Sequence, residues 1–60
     1  MEEVLKLEAL IRASMPRARD EAPIELVTDA IYIMQGRPPA GTGTRLERLR
    51  AIAKQLESYR

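Results

Sequence analysis

The chain contains no cysteine, no histidine, no phenylalanine and no tryptophan. Without cysteine there is no disulfide to staple a small fold and no thiolate to hold a metal. Without histidine the commonest zinc ligand and the most versatile general base are both missing. Tyr32 and Tyr59 are the only aromatic residues, so the core has to be aliphatic, which suits helices packed on one another. Long apolar runs are lacking too. The longest, Ala30 to Met34, falls far short of the roughly 20 residues that span a bilayer. The opening stretch MEEVLKLEAL begins with acids and alternates in charge, whereas a secretory signal begins basic and turns apolar, so the expected location is cytoplasmic and no membrane partner is implied.

What is present describes a small globular domain. Charged residues make up 32% of the 60 and hydrophobic ones 45%, with a net charge of +1. That balance is not one of a disordered chain. A chain this short buries only about 60% of the surface its unfolded form exposes, and with disulfides and histidine–cysteine metal sites excluded, oligomerisation is the remedy left. The charge is also unevenly laid out. Residues 1 to 36 carry four bases against seven acids, and residues 37 to 60 carry six bases against two acids. Opposite ends of the chain therefore attract, which steadies antiparallel packing or orients a dimer.

Three helical segments follow from the spacing of apolar residues. In residues 2 to 14, Val4, Leu7, Leu10 and Ile11 recur at steps of three and four, with Leu5 off the stripe. Met15-Pro16 is expected to close this helix, because the residue before proline is pushed out of helical dihedrals. Residues 23 to 35 read as a second helix, opened by Pro23 and ended by Gly36. Its apolar positions, Leu26, Val27, Ala30, Ile31, Ile33 and Met34, cover about half the circumference, which predicts a central helix buried from two sides. The β-branched residues at 31 and 33 leave a strand as the competing reading for Ala30 to Met34. Residues 44 to 59 form a third helix. Thr44-Arg45-Leu46-Glu47 fits the capping box that opens helices, and Leu46, Leu49, Ile52, Ala53, Leu56 and Tyr59 fall on one stripe. The expected fold is all-α, a small three-helix bundle or helical array completed by oligomerisation, in a single domain spanning 1 to 60.

Between the second and third helices stands GRPPAGTGT, residues 36 to 44. Gly36 and Gly41 have the G-x-x-x-x-G spacing of a phosphate-binding loop. Over these nine residues the stretch resembles the GPPGTGKT loop of AAA-type ATPases, a resemblance that implies nucleotide binding. Such a loop needs lysine after its second glycine and then serine or threonine for magnesium, and here Thr42 and Gly43 follow. Nor is there length for the parallel sheet that presents it. Arg37, Arg45 and the start of the third helix could hold an anion, but Glu47 competes for the same backbone N–H groups. The stretch reads as a connector ending in a helix cap.

No cofactor or catalytic residue is implied. The adjacent acids Glu2/Glu3 and Asp20/Glu21 sit in polar segments, and Glu25 and Asp29, one turn apart, read as a solvated face and not a metal site. The expectation is a non-enzymatic helical protein-interaction module, self-associating and regulatory or scaffolding in role. Its partners would be a second copy and a larger protein as yet unidentified. The interface expected is Leu26, Ala30, Ile31, Tyr32, Ile33 and Met34, with Leu5. The alternative is a small DNA-binding regulator contacting nucleic acid through Arg45, Arg48, Arg50 and Lys54 on the third helix. Against it stand the long turn before that helix and a net charge of only +1.

Overall fold

The computed structural model describes residues 2–37 and 43–60. It is all-helical over that range: α1 spans Glu2–Glu21, α2 Ile24–Met34 and α3 Arg45–Leu56, followed by a 3-10 turn at Glu57–Tyr59. The stretch 30–34 is helix, not strand. Pro38, Pro39 and the glycine spacing to Gly41 lie outside the described residues. The radius of gyration, 10.3 Å, is that of a packed chain of this length, about 10 Å, so the helices form a bundle and not an open array.

The largest departure from the sequence reading is α1, which continues through Pro16 to Glu21 instead of ending at Ser14. Proline removes the N–H that residue 12 would receive, and its ring crowds that carbonyl, at a cost of about 3 kcal/mol. Arg12 and Pro16 both lie on the exposed side of the helix, where water can take the carbonyl left over. Beyond the proline, Ala18 is fully buried and Ala22 packs against the core, as Met15 does just before it. Burial of that last stretch outweighs the local preference. Ser14, also fully buried, turns its hydroxyl back to donate to the Leu10 carbonyl at 2.8 Å, so its polar atom costs the core nothing unsatisfied.

The core consists of Ile11 and Ala18 from α1, Ala30 and Ile33 from α2, and Leu49, Ile52, Ala53 and Leu56 from α3. Val4, Leu7, Leu10, Leu26, Met34 and Tyr59 close around it. The most extensive helix pair is α1 with α3. Two ion pairs, Glu3 with Arg50 and Glu8 with Arg45, tie the first half of α1 to the first half of α3. These pairs join the acidic and basic halves of the chain.

The expected helix boundaries at residues 36 and 44 have their physical devices in place. Gly36 has φ of +80°, the left-handed conformation that glycine adopts without strain. Its N–H donates to the Ile33 carbonyl at 3.2 Å and the Arg37 N–H to that of Tyr32 at 3.0 Å, the paired bonds of a Schellman ending. At α3, the Glu47 N–H donates to Thr44 Oγ1 at 3.2 Å and the Thr44 N–H to Glu47 Oε1 at 3.3 Å, which is the capping box.

Candidate interaction surface

At about 100° per residue, the side chains of α2 separate into two apolar arcs. Leu26, Ala30 and Ile33 form the first and face α1 and α3. Ile24, Val27, Ile31 and Met34 form the second, turned away from the core centre: Ile24 is 79% exposed and the other three are half-buried. The expectation of a central α2 buried from two sides is therefore corrected. Only Ala30 and Ile33 are fully buried on α2, whereas α3 contributes four fully buried residues. The wide apolar face exists, but α1 and α3 cover one edge of it.

Along the other edge, α1 and α2 leave an open groove of about 590 Å³. Ile11, Met15, Ala30, Ile31 and Met34 make its floor, and Arg12, Arg19 and Gln35 its polar rim. The two arginines sit one heptad apart on α1, and neither takes part in an ion pair among the described residues. On the opposite flank of α2, Glu25 is exposed and also without an ion-pair partner among the described residues.

Of the interface expected from sequence, Ala30, Ile31 and Met34 line this groove. Ala30 and Ile33 are fully buried, and the half-buried Leu26 packs on the core, so these three hold α2 against the other helices. Tyr32 is 41% exposed and lies under the Arg37 guanidinium, whose central carbon is 5.5 Å from the ring centroid, a cation–π contact. Leu5, 63% exposed, belongs to a separate notch with Val4, Arg45 and Leu46. The Glu8–Arg45 bridge lies between that notch and the groove, since Glu8 stands one helical turn from both Leu5 and Arg12.

The four cations of the nucleic-acid reading are not brought together as a free set. Arg45 donates to Glu8 at 2.9 Å and to the Ile33 carbonyl at 3.1 Å, tying α3 to both other helices. Arg50 donates to both carboxylate oxygens of Glu3 at 2.7 and 2.9 Å. The hydrogen-bonded Arg50 guanidinium holds the Glu3 carboxyl below its ordinary value, and the same bond holds Arg50 above its own. Arg48 is half-buried, with its Nε enclosed and unbonded; Lys54 is exposed.

Arg12 and Arg19 escaped the sequence reading because they lie on the far part of α1, on either side of the proline expected to end or follow it. The signal was present: Val4, Leu7, Ile11, Ser14 and Ala18 keep steps of three and four without a break across Pro16. Among the described residues no three acidic side chains gather as a metal site, and no helix is long and apolar enough to cross a membrane. No family model, no curated protein and no solved structure matches this chain.

Proposed function

We propose that this chain is a non-enzymatic helical protein-interaction module that self-associates and serves a regulatory or scaffolding role toward a larger protein in the cytoplasm. The observation that carries the reading is that Ile31 and Met34 of the second arc line an open groove against α1, while Ile24 of the same arc is exposed. Apolar surface gathered on one helix face and rimmed by charge is the pattern of a docking site, while isolated exposed apolar residues are ordinary. DNA recognition by α3 has less behind it, because Arg45 and Arg50 are already engaged by carboxylates of α1.

The test is sedimentation equilibrium from micromolar to millimolar concentration. The mass should rise above that of one chain, and Ile31→Asp should return it to one chain with the helical circular dichroism retained. A single-chain mass at millimolar concentration would overturn the proposal. A shift of duplex DNA in low salt, lost on adding salt, would favour the alternative instead.

A further inference from the structure

Resting on the reading above, we infer that the occupant of the groove between α1 and α2 is a second copy of this chain, which inserts the acidic flank of its own α2, so that copies join head to tail. The first argument is charge. Arg12 and Arg19 rim a groove whose floor includes Ile31 and Met34, and no acidic side chain lines it. On another side of α2 is an open notch of about 300 Å³ lined by Ile24, Glu25, Thr28 and Asp29, with no basic side chain. None of Arg12, Arg19, Glu25 and Asp29 has an ion-pair partner among the described residues. Glu25 and Asp29 stand one turn apart, where like charges repel. Each patch is therefore relieved by an opposite charge, and each supplies what the other lacks.

The second argument is shape. At about 100° per residue, Ile24, Glu25 and Thr28 centre on the side of α2 directed away from Leu26, Ala30 and Ile33, so the acidic flank projects outward from the bundle. Ile24, 79% exposed, stands at its edge as an apolar knob, and Met15, Ile31 and Met34 offer a floor to receive it, the methionines adapting to what enters. Groove and flank have no residue in common, so one chain can give its flank to one neighbour and take the flank of another. Two unlike patches that meet in this way make a heterologous contact, which closes into a ring or continues as a filament and does not stop at a two-fold dimer.

The wild-type chain gives the first test. Its sedimentation mass should rise past two chains between micromolar and millimolar concentration, and raising salt from about 0.05 M to about 0.5 M should weaken association about tenfold. Two variants then split the contact. Arg12→Glu with Arg19→Glu spoils the groove and leaves the flank; Ile24→Asn with Glu25→Gln and Asp29→Asn spoils the flank and leaves the groove. Circular dichroism checks that both stay helical. Each variant alone should remain a single chain where the wild type assembles. Mixed in equal amounts they hold one good groove and one good flank between them, so the mass should reach two chains and go no further. Wild-type association that stops at two chains, that salt leaves unchanged or that either variant retains overturns this pairing while self-association stands, and so does a mixture that stays single. If the wild-type chain does not associate at all, the underlying reading goes with it.

Discussion

The α1–α3 pair and α2 draw on the same aliphatic side chains and end up differently enclosed. α3 places Leu49, Ile52, Ala53 and Leu56 wholly inside, in one core with Ile11 and Ala18 of α1, and two ion pairs tie the two helices together. α2 has more apolar residues than either partner helix can cover, yet only Ala30 and Ile33 are completely buried. Composition alone does not separate the two regions; the angular spread of the apolar residues does. A narrow stripe can be sealed by one neighbour, and a face half the circumference wide needs a second. Here α1 and α3 cover one edge of that face and leave the other open.

The difference can be broken most directly by deleting equivalent apolar groups on its two sides. Leu49→Ala opens a cavity at the centre of the α1–α3 contact and should cost about 2–5 kcal/mol. At about 4–8 °C per kcal/mol for a domain this small, the melting temperature should fall by more than about 10 °C. Ile24→Ala, measured at micromolar concentration where association is weak, should stay within about 0.5 kcal/mol of wild type. Equal losses in urea titrations of the two variants would mean that α2 is as enclosed as α3 and that its outer arc has no special standing.

Pro16→Ala sharpens the account of α1. The substitution returns a backbone N–H to the Arg12 carbonyl and removes the ring that crowds it, so the chain should become more stable by about 1–3 kcal/mol, partly offset by the greater freedom of the unfolded chain. A loss of stability would show that the proline ring's place in the groove wall matters more than the helix it interrupts. Arg45→Met comes next. Among the described residues Arg45 is the one side chain hydrogen-bonded to both α1 and α2, to a Glu8 side chain only 17% exposed and to the Ile33 carbonyl. Its removal should cost about 1 kcal/mol, and the same change at Arg50, which touches α1 alone, should cost less.

Much of this architecture can be read from the chain before folding. The stripe on α3, its capping box and the Gly36 ending are local devices, each complete within a few residues, and each is found where the spacing put it. The end of α1 set two signals against each other, the local preference of Met15-Pro16 and the stripe that continues to Ala18, and burial of Ala18 in the core decides for the stripe. The interface list divides for a similar reason. Periodicity puts Ala30, Ile31, Ile33 and Met34 on one wide face, and only the positions of α1 and α3 show that Ala30 and Ile33 are sealed while Ile31 and Met34 border open space. Arg45 and Arg50 look alike in sequence as a basic face. Their acids, Glu8 and Glu3, lie 37 and 47 residues away and become partners only when α1 packs on α3.

The smallest expected effect concerns that last pairing and has a definite sign. Hydrogen bonding to Arg50 lowers the folded-state pKa of Glu3, while in the unfolded chain the carboxyl titrates at its ordinary value. As pH falls, the unfolded state therefore takes up the proton first. The stabilisation is present in full above the ordinary carboxylate range and is lost as pH falls through the lowered value. Urea midpoints of wild type and Glu3→Gln, compared from neutral to strongly acid pH, should differ slightly at neutrality and converge in acid. Both side chains are exposed, so added salt should shrink the difference as well. A constant offset across the whole range would mean that the substitution acts through packing or helix propensity at the start of α1, and the bracket between α1 and α3 would then rest on Glu8 and Arg45 alone.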